Sequence, residues 1–142
     1  MAHSPVSKRQ LFADLLGIAI LTEQQMVHLI ESHLPLETLS RLEQHGLSRD
    51  EVFSLIINPR TLKHRRTKRQ ALSLEESERA VRVGRILATA EATLGDDKVA
   101  LNWLRAPKQR FDGRTPMQML STETGGRLVE QMLLQIDEGM FA

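Results

Sequence analysis

At four places where this chain turns into an apolar run of helical spacing, a Ser or Thr is followed three residues later by Glu or Gln: Thr22 and Gln25, Ser48 and Glu51, Ser73 and Glu76, Thr115 and Gln118. That spacing is the capping box, in which two side chains satisfy backbone donors that a helix start leaves without partners. Apolar residues at helical spacing follow each box, and Gly46, Gly95 and Gly139 stand where the resulting helices need to stop. No segment reads as a confident strand; Ile18–Leu21 is the one weak candidate. The pattern dictates an all-α fold.

The helices can be placed in order. Met26, Leu29 and Ile30 share one face after Thr22. Pro35 suits the first turn of the next helix, which carries Leu36, Leu39 and Leu42. Ser48 opens a helix with Val52, Leu55 and Ile56 inward, and Asn58–Pro59 reads as N-cap and first position of a short helix to about Arg66. The longest helix runs from Ser73 to Leu94, with Ala80, Val83, Leu87, Ala90 and Leu94 as its stripe. Glu75–Arg79 and Glu78–Arg82 are placed as i,i+4 ion pairs on it. Asp96 caps a helix carrying Val99, Trp103 and Leu104, and residues 106–114 form a loop. Thr115–Pro116 starts a short helix, and a last helix from about Thr122 to Glu138 turns Leu128, Met132, Leu133 and Ile136 inward.

Composition excludes several classes. The chain has no Cys, which removes disulfide scaffolds, thiolate zinc sites and a Cys nucleophile. It has no Tyr and one Trp, too few rings for stacking on single-stranded nucleic acid. The net charge of +1 conceals an uneven distribution. Residues 52–74 hold no Asp or Glu but carry Arg60, Lys63, Arg65, Arg66, Lys68 and Arg69, while the remainder of the chain beyond them is acidic overall. A basic block in a near-neutral chain points to one polyanion-facing surface. The longest apolar run, Leu15–Leu21, is far short of the ~20 residues that span a bilayer. Asp14 and the lack of a small-x-small site argue against a signal peptide, so a cytoplasmic location and no membrane contact are expected.

Residues 48–66 have the layout of a helix-turn-helix, whose second helix enters the major groove. Arg60 is long enough for a bidentate contact with guanine, Thr61 and His64 lie beside it, and Lys63, Arg65, Arg66, Lys68 and Arg69 would displace counterions from phosphates. The same run of cations also describes a solvated helix face. Ile56–Ile57–Asn58 stands where many such turns carry Gly, and Asn58 tolerates left-handed geometry.

No arrangement of residues in the sequence points to catalysis. His28 and His33 are five apart and so point about 140° apart on a helix, with no third ligand. Asp96–Asp97 and Asp137–Glu138 are adjacent pairs whose side chains diverge. Gly125–Gly126 lacks the Lys-Ser/Thr of a phosphate loop, and no Ser stands in a nucleophile elbow. No catalytic residue, metal or cofactor is expected. Met140 and Phe141 follow the terminator Gly139, and an apolar pair there calls for something to dock on.

Taken in order, Asn58-Pro-Arg-Thr-Leu-Lys-His-Arg-Arg66, Leu74-Glu-Glu-Ser-Glu-Arg79, Ala100 with Trp103-Leu104, Asp112-Gly-Arg-Thr-Pro116, Leu120, Thr122-Glu-Thr-Gly125, Val129-Glu130 and Gly139-Met-Phe141 form a specific set. From about Gly46 to the end, the chain resembles the Xre/MbcA/ParS-type antitoxins that pair with RES-domain toxins. The resemblance implies an antitoxin that binds and neutralises an NAD-degrading RES toxin by blocking its active site. It also implies a helix-turn-helix that binds operator DNA and represses the operon, self-association as a homodimer and a larger complex with toxin. Carried onto this sequence, the toxin contacts fall on Arg114, Arg127, Glu130, Asp137, Glu138, Met140 and Phe141. The division that follows is a variable segment 1–21, a helix-turn-helix region with linking helix 22–94, and a C-terminal toxin-binding domain 95–142. A stand-alone dimeric helix-turn-helix regulator is the alternative, and an orphan enzyme the remote third. The first 34 residues, with Leu11, Phe12, Leu15, Leu16, Ile18 and Ile20, either cover the core or build an oligomer contact.

Overall fold

A computed structural model describes residues 8–17 and 22–139. Within them lie α1 (Lys8–Leu16), α2 (Glu23–Glu31), α3 (Glu37–Gln44), α4 (Arg49–Leu55), α5 (Pro59–Thr67), α6 (Leu74–Leu94), α7 (Asp97–Leu104), α8 (Pro116–Met119) and α9 (Glu123–Asp137), with a 3-10 turn at Gln109–Phe111. The described residues contain no strand. Ile18–Leu21 lies outside them.

Local chemistry sets the helix starts. All four capping boxes close reciprocally, as at Ser48, whose N–H donates to Glu51 Oε1 (2.9 Å) while its Oγ accepts from the Glu51 N–H (3.1 Å). Asn58 Oδ1 caps α5, and Gly95 ends α6 with φ +81°. Pro35 stands two residues ahead of α3 instead of inside its first turn, because Leu36 is the N-cap. The segment between α2 and α3 is stapled to the stretch before and into α6. Leu34 N–H donates to Ser77 Oγ at 3.0 Å, Leu72 N–H to the Leu34 carbonyl at 2.9 Å, and His33 Nδ1 donates to the Leu72 carbonyl at 2.8 Å.

The core is built around α6, which is buried on nearly every side. Ala80, Val83, Leu87 and Ala90 are buried as their spacing requires, and so are Val81, Gly84, Ile86, Ala88 and Thr89 on other faces; Leu94 is only half-buried. Small side chains let neighbours come close. A Cβ on Gly84 would stand 3.3 Å from Leu16 Cδ2 and 3.7 Å from Leu42 Cδ2. α1 covers part of the core, with Ala13, Leu15 and Leu16 buried against α6 and α3; Ile18 and Ile20 lie outside the described residues. α7 and α9 cover another part of α6.

One sequence expectation fails on packing. α9 turns Val129 and Leu133 inward, with Gly125 and Gly126 on the same side, whereas Leu128 is 44% exposed and Met132 and Ile136 are half-buried. A glycine pair at the start of the helix brings its backbone against α6 and α8, so the smallest residues define the buried face. On α7, Leu104 is fully buried but Val99 is 48% exposed. The i,i+4 pairs of α6 also do not form. Arg79 donates to the Ile56 carbonyl (3.2 Å) at the end of α4, and Arg82 to Glu123 Oε2 (3.4 Å) and the Leu120 carbonyl (3.3 Å). A charge-assisted bond to a carbonyl left over at a helix end outweighs a solvated surface pair.

Candidate functional site

Two surfaces follow from this frame. The first is α4 and α5. Ile56 and Ile57 are buried in the turn between them, and both N–H groups donate to the Val52 carbonyl, at 2.9 and 3.1 Å. No residue of the turn has positive φ, and Asn58 is extended at φ −73°, ψ 159°, so the missing glycine costs nothing there. Leu62 docks α5 inward. Helical geometry then sends Arg60, Lys63, His64 and Thr67 out together at i, i+3, i+4 and i+7, all exposed. Thr67 belongs to this stripe and escaped the sequence reading; the spacing from Arg60 was the signal. Its hydroxyl turns back to the Lys63 carbonyl (3.0 Å). Of the amides in the first turn, Pro59 has none and that of Thr61 is taken by Asn58 (2.8 Å), so Arg60 alone offers a free N–H there.

The cations of this block are not equivalent. Arg60, Lys63, Arg66, Lys68 and Arg69 are exposed and form no ion pair with any described residue. Arg65 is tied down. Its Nε and Nη2 donate to the two carboxylate oxygens of Glu76, at 3.2 and 3.3 Å, and its Nη1 to Gln70 Oε1 at 3.1 Å. Burial opposes the charge on Glu76, but the Arg65 hydrogen bonds and the Ser73 N–H prevail, and the carboxyl titrates below its ordinary range. Thr61 is half-buried at the base of the helix.

The second surface is the C-terminal module. The left-handed residues Asp112 (φ +56°) and Gly113 (φ +85°) close the loop from Lys108 to Arg114. Lys108 lies 4.7 Å from the Trp103 ring centroid, and burial lowers the titration of its ammonium. Arg105, at the end of α7, reaches back to α4 with bonds to both oxygens of Glu51 (2.8 and 3.0 Å) and to the Gly46 carbonyl (2.8 Å). Burial would raise the titration of Glu51, yet Arg105 and the Ser48 N–H carry it below the ordinary range. Glu51 and Glu76 thus share a double use: each closes a capping box and holds an arginine from another element, α7 for Glu51 and α5 for Glu76. Nothing local to Arg105 announces this.

Gly125 allows the α8–α9 elbow. A Cβ there would collide with the Met119 carbonyl oxygen, and one on Gly126 would stand 3.2 Å from Arg82 Cδ. Alongside runs a groove of about 420 Å³ between α2, α6 and α9. Arg127 and Glu130 both line it. Arg114 does not; it donates to the Gln118 carbonyl at 3.3 Å. Asp137 and Glu138 are exposed where α9 ends, about 10 Å along the axis from Glu130 at 1.5 Å per residue. Met140 and Phe141 lie outside the described residues.

Comparison with known proteins fits these two surfaces. Residues 25–85 match a family model described as the antitoxin Xre-like helix-turn-helix domain. Residues 89–139 match one described as the antitoxin Xre/MbcA/ParS C-terminal toxin-binding domain. The chain belongs to the Xre-type antitoxin family. The first match begins well before Gly46 and includes α3 and most of α2. A protein named Antitoxin Xre from Pseudomonas putida is 46% identical over 101 residues, covering 71% of this chain and 64% of that one. One of the same name from Yersinia enterocolitica is 34% identical over 87 residues, covering 61% and 59%. The chain thus spans less than two thirds of either relative's length. Among the described residues, no helix is long and apolar enough to cross a membrane.

Proposed function

We propose that this chain is the antitoxin of a type II toxin–antitoxin pair. Its C-terminal module binds a RES-domain, NAD-degrading toxin and blocks the active site, and α4–α5 binds the operator of the shared operon and represses it in the cytoplasm. The observation that carries the reading is the presence in one chain of a toxin-binding family domain at 89–139 and an unpaired cationic stripe on the second helix of a helix-turn-helix. Arg60 stands where a bidentate guanine contact is made, with Lys63 and His64 beside it, and Arg66, Lys68 and Arg69 face phosphates. A homodimer would set two such helices on half-sites about 34 Å apart. The chemistry of NAD loss belongs to the partner. Reading the chain as a stand-alone regulator leaves the toxin-binding domain without a role.

A RES enzyme admits a dinucleotide with two phosphates and so needs a cationic pocket. The acidic end of α9, Asp137–Glu138, followed by Met140–Phe141, has the chemistry of a plug for it, with Arg114, Arg127 and Glu130 as further contacts. The test is NAD loss catalysed by the RES-domain protein of the same operon, with full-length chain or a chain lacking 137–142. Inhibition by the first and not the second is expected. Full inhibition by the truncated chain removes the tail from the mechanism, and no inhibition by the full-length chain overturns the antitoxin reading. Fluorescence anisotropy on the operon's promoter tests repression separately; no preference over unrelated DNA overturns it.

A further inference from the structure

The groove between α2, α6 and α9 draws its walls from both matched domains: Ile30, Glu78, Val81, Arg82 and Arg85 from the first, Glu123, Gly126, Arg127 and Glu130 from the second. Its volume of about 420 Å³ suits side chains of a docked segment. Ile30, Val81 and Ile86 supply an apolar floor. Two exposed apolar residues stand one helical turn from residues that line it, Val27 (54% exposed) before Ile30 and Leu134 (53%) after Glu130.

The charges of the groove are not balanced in what they leave spare. Arg82 is taken by Glu123 and the Leu120 carbonyl, Arg85 by Glu23 at 3.4 Å, and Arg127 by Glu123 at 3.8 Å. Glu78 on α6 and Glu130 on α9 form no ion pair or hydrogen bond with any described residue. The groove's unused capacity is therefore for a cation set over an apolar floor. Residues 1–7, 18–21 and 140–142, outside the described residues, contain no Lys or Arg.

We propose that this groove receives a segment of the toxin that presents a lysine or arginine between apolar side chains, with Glu78 and Glu130 as the receiving carboxylates. The proposal rests on the toxin-binding reading above and deepens it: the grip on the toxin is shared by the helix-turn-helix region and is separate from any plug formed by the tail. Opposite charge on a desolvating apolar floor gives register to the docked segment and slows its release.

The test titrates full-length wild type, Glu78→Lys, Glu130→Lys and the double variant by calorimetry against the RES-domain protein of the same operon. Glu130→Gln, which keeps size and removes charge, guards against a folding defect, and circular dichroism checks each variant. The expected result is a loss of about tenfold or more per charge reversal, a smaller loss for Glu130→Gln, and unchanged promoter affinity and sedimentation of the free chain. A double variant that binds the toxin within about threefold of wild type overturns the groove and leaves the toxin-binding reading standing. A wild-type chain that does not bind at all overturns that reading and the groove with it. Reversals that alter sedimentation of the free chain and spare the toxin assign the groove to a second copy and also overturn the proposal.

Discussion

Replacing Arg65 by methionine keeps most of the stem of the side chain and removes the guanidinium that holds Glu76. The carboxylate left behind is 9% exposed, and its remaining partner is the Ser73 N–H at 2.8 Å. Breaking a buried pair from one side costs about 3–5 kcal/mol, because an ion is stranded without compensation. Arg65 is itself 23% exposed, so water screens part of that charge, and about 2–3 kcal/mol is the better figure. At this chain length that is a fall in melting temperature of about 6–9 °C. The pH dependence supplies a signature. Glu76 titrates below its ordinary value of 4.5 in the folded chain, so the pair's stabilisation is complete above that value and is lost as pH falls through the depressed one. The difference between wild type and Arg65→Met in urea unfolding should therefore be full at pH 7 and shrink steadily once the medium is more acidic than about 4.5. On promoter DNA, Arg65→Met should leave the salt slope unchanged, whereas loss of a phosphate contact lowers it by about 1. A variant within about 0.5 kcal/mol of wild type at pH 7 refutes the structural role. A lowered salt slope refutes the assignment of Arg65 to the fold and returns it to the DNA.

Arg60→Ala should relax sequence preference at one or two base pairs, while Arg66→Ala weakens binding to all sequences and lowers the salt slope by about 1; anisotropy on the promoter and on point-mutated promoters separates them. Gly125→Ala drives a methyl against the Met119 carbonyl oxygen, and thermal unfolding should show a loss of about 1–3 kcal/mol from opening the α8–α9 elbow. Arg105→Met severs the tie to Glu51 and Gly46. With both side chains partly exposed it should cost only about 0.5–1 kcal/mol in chemical denaturation.

What could be read in advance was what is local. A capping box, a proline at the first helical position or a glycine after the last turn acts over three or four residues, and α2, α4, α6 and α8 begin where those signals stand. The inward face of α9 escaped because periodicity weighs large apolar residues. It selects Leu128, while the approach to α6 and α8 is made by Gly125 and Gly126, which carry no hydrophobic signal. The role of Arg65 escaped for a related reason. Six cations in ten residues look alike in sequence, and only the return of the chain through Ser73 and Glu76 withdraws one of them from the surface. Arg105 has no local signal at all, since its partners Gly46 and Glu51 are more than fifty residues away.

The arginines of α6 tie the two matched regions together in this fold. Arg79, Arg82 and Arg85 follow one another at three-residue steps, and each step turns the helix face by about 60°. The three side chains consequently fan out to different neighbours: Arg79 to the end of α4, Arg82 to the α8–α9 elbow, and Arg85 to Glu23 of α2 and the Phe12 ring of α1. A linking helix between two independent units would carry its charges into solvent and bury one stripe. α6 instead spends its guanidiniums on carbonyls and carboxylates of both regions and buries residues on nearly every side. The groove of Glu78 and Glu130 has one wall on each region. Its shape then depends on α6 holding both walls in place, and on Arg82 in particular, whose bonds to Glu123 and to the Leu120 carbonyl fix the α8–α9 elbow to α6 beside the groove.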